Sequence, residues 1–84
     1  MDKIGICGGG LIGASWALGF SSNKYKVFVY DNSKKVREEF LDTVKSLHED
    51  LLIIKEISFN EIKSNIVVCD SIEDICKNAT LIQE

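Results

Sequence analysis

Lys3-Ile4-Gly5-Ile6-Cys7-Gly8-Gly9-Gly10-Leu11-Ile12-Gly13 begins as a short apolar run and breaks into three consecutive glycines. The run before the glycines reads as a buried strand. From Leu11 to Ser22 the residues are mostly small or apolar, including Ala14, Ala17, Leu18 and Phe20. Their length and composition suit a buried helix packed closely on a sheet. Ser21-Ser22-Asn23 closes it. Tyr25-Lys26-Val27-Phe28-Val29-Tyr30, rich in aromatic and β-branched residues, is the clearest strand in the chain, and Asp31 ends it. Residues 3–31 therefore read as strand, glycine turn, helix and second strand.

Gly8-Gly9-Gly10-Leu11-Ile12-Gly13 fits the spacing G-x-G-x-x-G. Alone, that spacing is a weak signal. Here it leaves a strand and opens a helix, and an acidic residue closes the next strand, which is the context a dinucleotide fingerprint needs. Each part has a physical task. Gly8 permits the tight turn. Gly10, without a Cβ, lets a pyrophosphate approach the backbone, and Gly13 lets the helix sit close to the sheet. The backbone N–H groups around Leu11 and Ile12 have no intrahelical partner and form an anion site with the helix dipole. Asp31 can accept the adenosine ribose hydroxyls, and its charge repels a 2′-phosphate, so NAD is expected over NADP. FAD uses the same turn and acid and stays open as an alternative. A Walker A loop is excluded, because no Gly-Lys-Ser/Thr follows.

Beyond Asp31, Asp31-Asn32-Ser33 offers an N-cap to a long helix. Its apolar stripe is Val36, Phe40, Val44, Leu47, Leu51 and Ile54, in steps of three and four residues, so the helix is expected to run to near Ile54. Ser58 with Glu61 matches a capping box for a short helix over about residues 59–64. Ile66-Val67-Val68-Cys69 reads as a third strand. Asp70 or Ser71 then caps a helix holding Ile72, Ile75 and Cys76, with Asn78 as its stop, and Thr80-Leu81-Ile82-Gln83 reads as a fourth strand. Strands alternating with helices imply an α/β fold with a parallel sheet. Right-handed crossovers give a partial Rossmann-type sheet of four strands in the order 3-2-1-4.

Composition narrows the function classes. The net charge of −3 and pI of about 5.1 leave no basic face for nucleic acid. Lys34, Lys35 and Arg37, followed by Glu38 and Glu39, read as a solvated helix face. No apolar run reaches the ~20 residues of a membrane span, and Met1-Asp2-Lys3 enters a strand with no signal region, so a cytoplasmic protein is expected. Cys7, Cys69 and Cys76 contain no CxxC pair, and His48 is far from all three. No metal site is expected, and the cysteines read as buried or half-buried thiols.

The stretch Ile6-Cys7-Gly8-Gly9-Gly10-Leu11-Ile12-Gly13-Ala14-Ser15-Trp16-Ala17 resembles the start of the L-3-hydroxyacyl-CoA dehydrogenase family. It is most similar to the branch containing L-gulonate 3-dehydrogenase (lambda-crystallin) and carnitine dehydrogenase, where Ser-Trp-Ala follows the last glycine. Val29-Tyr30-Asp31 resembles the family's second-strand ending. Ser71-Ile72-Glu73-Asp74 through Ala79-Thr80-Leu81-Ile82-Gln83-Glu84 resembles its approach to the fourth strand. The likeness spans all 84 residues, specific at both ends and looser in the middle.

The resemblance implies oxidation of a secondary alcohol on a 3-hydroxyacyl thioester or related hydroxy acid, with NAD. The family's catalytic histidine follows a sixth strand in a motif with no counterpart here, and His48 is not carried over as that residue. No catalytic residue is therefore assigned. Residues 1–84 are expected to be the N-terminal part of a dinucleotide-binding domain, without the C-terminal substrate and dimerisation domain. Cofactor contacts are assigned to Gly8, Gly10, Leu11, Ile12, Gly13 and Asp31. An acyl-CoA or hydroxy-acid substrate is expected only in a full-length context, and the open sheet edge is expected to pair with a second copy or another strand. The competing expectation is a non-catalytic nucleotide-binding or interaction module.

Overall fold

The computed structural model describes residues 2–51 and 56–83. Its strands are β1 (Lys3–Cys7), β2 (Lys26–Tyr30), β3 (Ile66–Val68) and β4 (Leu81–Gln83). Its helices are α1 (Leu11–Ser22), α2 (Lys34–Asp50), α3 (Phe59–Ser64) and α4 (Ile72–Asn78). All strand pairs are parallel and the order is β3-β2-β1-β4, as the alternating pattern implied. Cys69 N–H donates to the Val29 carbonyl and Thr80 N–H to the Lys3 carbonyl, so the ladder bonding extends past β3 and before β4.

Side chains along β1 and β2 alternate between the two faces of the sheet. Ile4, Ile6, Val27, Val29 and Ile66 point to one face, where they meet Ala14, Ala17 and Leu18 of α1, Phe40 and Val44 of α2, and Ile62 of α3. Phe40 is 1% exposed, and burying such a side chain stabilises by about 2–3 kcal/mol. The opposite face carries a smaller cluster of Phe28, Cys69 and Ile75, with Cys7, Tyr30 and Ala79 against it. Gly5 makes this second packing close. A Cβ there would lie 2.5 Å from Ile75 Cγ2 and 2.9 Å from Ala79 Cβ, so α4 can lie directly on β1 only because that side chain is missing.

Three helices start on a serine. Ser33 Oγ accepts from Val36 N–H at 3.3 Å, Ser58 Oγ from Glu61 N–H at 3.2 Å, and Ser71 Oγ from Asp74 N–H at 3.3 Å. Among the offered caps the fold therefore uses Ser33 and Ser71. Asp31 is engaged elsewhere. Helix α1 starts on Gly10, with no side-chain cap and no acidic residue in its first turn.

Several expectations are corrected. The α2 stripe is deepest at Phe40 and Val44, Leu51 is exposed, and Ile54 lies outside the described residues. Helix α1 buries one side only (Gly13, Ala14, Ala17, Leu18 and Ser21), and Leu11 and Ile12 are exposed. Of the cysteines, Cys7 is half-buried and Cys69 buried, but Cys76 is exposed, because α4 turns only Ile75 into the core. Arg37 is not part of the solvated face: it is half-buried. His48, by contrast, agrees with its reading as a non-catalytic residue: its Nε2 lies 2.7 Å from the Ile57 carbonyl and its ring packs near Phe59.

Candidate cofactor site

The glycine turn leaves β1 at the carboxyl end of the sheet, where open α/β folds bind ligands. Gly8 has a φ of +114°, in the region that favours glycine, and its N–H donates to the Tyr30 carbonyl at 2.8 Å. The turn is thus tied to the end of β2. Gly13 fixes how closely α1 returns: a Cβ there would lie 2.0 Å from the Gly8 carbonyl oxygen, a backbone atom that cannot step aside. Gly10 differs, because nothing lies within 4 Å of where its Cβ would be. That open space faces the start of α1.

The first intrahelical bond of α1 runs from Ala14 N–H to the Gly10 carbonyl. The N–H groups of Leu11, Ile12 and Gly13 precede it and have no intrahelical acceptor. With the positive end of the dipole, this first turn is suited to a phosphate group. A cavity of about 500 Å³ lies against it, lined by Cys7, Gly8, Gly10, Leu11, Ile12, Gly13 and Trp16. A second cavity, about 280 Å³, is lined by Cys7, Gly8, Tyr30, Asp31, Asn32 and Ile72. Cys7 and Gly8 belong to both, so one groove crosses the ends of β1 and β2. All six residues assigned to the cofactor from sequence line this groove.

Asp31 sits where the acid of the fingerprint is expected, and its carboxylate is already held. Oδ2 accepts from Gly9 N–H at 2.9 Å and Oδ1 from Ser33 N–H at 2.8 Å. These two bonds, first Gly9 and then Ser33, hold its carboxyl below the ordinary aspartate value, with Arg37 adding in the same direction against a desolvation penalty. The group stays ionised and acceptor-only, and each oxygen keeps one further lone pair. A ribose diol is a matching donor pair. Sterics and charge of this groove therefore fit a dinucleotide: open space beside Gly10, unpaired N–H groups for the pyrophosphate, and a fixed anion for the ribose.

Sequence reasoning missed three residues. Gly9, the unassigned position of the motif, donates to Asp31, and a Cβ on it would lie 2.9 Å from Val36 Cγ1 and 3.3 Å from Phe40 Cδ1. Ile72 walls the smaller cavity beside Asp31. Arg37 donates from Nη1 to the Asp31 carbonyl at 2.7 Å and lies over the Tyr30 ring. Only Gly9 had a local signal, as the middle of three consecutive glycines where a simple turn needs fewer.

The model of the 3-hydroxyacyl-CoA dehydrogenase NAD binding domain matches residues 3–84. L-carnitine dehydrogenase of Oceanobacillus iheyensis is 29% identical over 86 aligned residues, covering 100% of this chain and 27% of that protein. The crystal structure of (S)-3-hydroxybutyryl-CoA dehydrogenase from Ralstonia eutropha superposes with a TM-score of 0.83 at 20% identity, over 98% of this chain and 30% of that one. FadB2 of M. tuberculosis gives a TM-score of 0.83 at 12% identity with the same coverage, 98% and 30%. At those identities the two structures establish the fold. The chain spans less than a third of the length of each of these relatives.

Proposed function

The chain belongs to the 3-hydroxyacyl-CoA dehydrogenase family, whose NAD-binding domain it carries, and from that premise we propose that the groove described above holds the adenosine and pyrophosphate of NAD. The family match sets the flavin alternative aside. In this reading the first-turn N–H groups of Leu11, Ile12 and Gly13 hold the pyrophosphate, Gly8 and Gly10 give it room, and Asp31 accepts the ribose hydroxyls. The observation that carries the reading is the Asp31 carboxylate, fixed by Gly9 N–H beside the uncapped start of α1. When bound, NAD supplies the nicotinamide carbon that takes up a hydride.

The whole protein's reaction is proposed as oxidation of a secondary alcohol on a 3-hydroxyacyl-CoA or related hydroxy acid. The L-carnitine dehydrogenase likeness supports the hydroxy-acid side. Residues 1–84 act as the N-terminal part of the dinucleotide domain, and the substrate domain and the proton acceptor come from elsewhere. Among the described residues no strand pairs with the outer edge of β4, and in this reading a further strand or a second copy covers it. The proposed compartment is the cytoplasm: among the described residues no helix is long and apolar enough to cross a membrane.

Calorimetric titration of the chain with NAD tests the site. Binding is expected, and Asp31→Ala, checked for folding by circular dichroism, should weaken it by about tenfold or more, the value of a hydrogen bond to a charged group. Equal affinity would remove Asp31 from the ribose role. Because the folded carboxyl is held below the ordinary aspartate value of about 3.9, the fall in affinity as the carboxylate protonates should be centred beneath that ordinary value. The 84-residue chain should form no NADH from 3-hydroxybutyryl-CoA, and turnover would overturn the assignment of the proton acceptor to another part.

A further inference from the structure

Arg37 touches two residues that wall the ribose-side cavity, Tyr30 at the end of β2 and Asp31 just after it. Its Nη1 donates to the Asp31 carbonyl at 2.7 Å, and its guanidinium carbon lies 5.4 Å from the centre of the Tyr30 ring. Neighbouring cations on α2 make no such contact: Lys34 pairs with Glu38 at 3.8 Å on the surface, and Lys35 is exposed. Arg37 alone of the three is half-buried. A planar guanidinium suits this place, because it can stack on a ring and aim a donor at a carbonyl in one conformation.

We propose that Arg37 is a positioning residue for the cofactor ribose, acting through Asp31. The proposal rests on the NAD reading given above. The Asp31 side chain is held at its two oxygens by Gly9 N–H and Ser33 N–H, while Arg37 holds the main-chain carbonyl of the same residue. With the peptide following β2 anchored at its carbonyl and the carboxylate anchored at both oxygens, Asp31 has one orientation. Its carboxylate is then held in place at the wall of the cavity lined by Cys7, Gly8, Tyr30, Asp31, Asn32 and Ile72 before any ligand arrives. An acceptor fixed in advance binds a diol more tightly than one that must be ordered on binding. Without Arg37 the carbonyl is released and the Tyr30 ring loses its cover, so the carboxylate is aimed less well. Arg37 itself needs no contact with the dinucleotide.

The test compares the affinities of the chain for NAD and for its analogue lacking the adenosine 2′-hydroxyl. The chain should prefer NAD by about tenfold, the value of a hydrogen bond to a charged group. In Arg37→Ala that preference should fall to about twofold, while affinity for the deoxy analogue changes little. Arg37→Gln keeps the side-chain stem and a donor, guards against loss of folding, and should fall between the two. Lys35→Ala removes an equal charge nearby and should leave the preference intact. If Arg37→Ala weakens both ligands equally, its role is general structure or charge and the proposal is overturned. An equal loss of preference in Lys35→Ala overturns it as well. Should the unaltered chain bind neither ligand, the NAD reading fails separately. Amide exchange then still decides the positioning claim: Gly9 N–H, donated to Asp31, should exchange faster in Arg37→Ala by about tenfold, and an unchanged rate would refute it.

Discussion

The two faces of the sheet are covered to different depths. On one, α1, α2 and α3 enclose Ile4, Ile6, Val27, Val29 and Ile66. On the other, the seven-residue α4 covers Phe28 and Cys69 through Ile75, and Val67, Ile72 and Ile82 remain partly in water. The difference follows from how each face is filled. The first uses bulk where α2 and α3 cover it, with Phe40 and Ile62 supplying volume, and small residues such as Ala14 and Ala17 where α1 lies close. The second uses absence, since the missing Cβ of Gly5 lets a short helix touch β1. The first face therefore carries most of the stability, and the second sets the position of the strand that feeds the glycine turn.

The largest break in this comparison is expected at Phe40. Phe40→Ala should cost about 3–5 kcal/mol, a large part of what a chain of this size has, and urea unfolding followed by circular dichroism reads it. A loss under about 1 kcal/mol would mean that the three-helix face is loosely packed.

The second face should respond less and in a coupled way. Ile75→Ala should cost about 2–3 kcal/mol by opening a cavity, and Gly5→Ala about 1–3 kcal/mol by overpacking. Because the new Cβ meets Ile75 Cγ2, which alanine lacks, the double variant should cost at least about 0.5 kcal/mol less than the sum. Strict additivity would mean that α4 moves aside as a body.

The smallest effect is a ranking of thiols. A neutral alkylating reagent should label exposed Cys76 first and buried Cys69 last. Burial, then the Asp74 and Asp70 charges, pushes the Cys69 thiol up, so the folded chain holds this proton more tightly than the unfolded one. That contribution to stability is present below the unfolded thiol value of about 8.5 and is lost as pH rises through the folded value. Labelling of Cys69 ahead of Cys7 would show the second face opening locally.

Much of this was legible in the sequence because its signals are local. The glycine spacing, the aromatic strand ending in Asp31 and the polar caps (Ser58 singly, Ser33 and Ser71 among neighbours) each need only a few adjacent residues, and the alternation of strands with helices yielded the strand order. The rest depends on partners distant in the chain. Gly5 needs Ile75 and Ala79 above it, although a glycine inside a strand is itself a sign of close approach. Gly9 needs Val36 and Phe40. Arg37 looked like one charge in a solvated run, and only the fold brings the Tyr30 ring beneath it. The exposed Cys76 and Leu51 depart from the reading for a related reason: periodicity marks a helical stripe but not where the sheet beneath it ends.

Helices α2, α3 and α4 are finished by the chain itself, each by a serine at its start. Helix α1 begins on Gly10 and is left open. An open helix start of this kind is a socket for which no side chain among the described residues supplies a cap. In the reading proposed here the dinucleotide is then a component of the architecture as well as a reagent. Its arrival completes the hydrogen bonding of the first helix, so loading the carrier and finishing the fold become a single event.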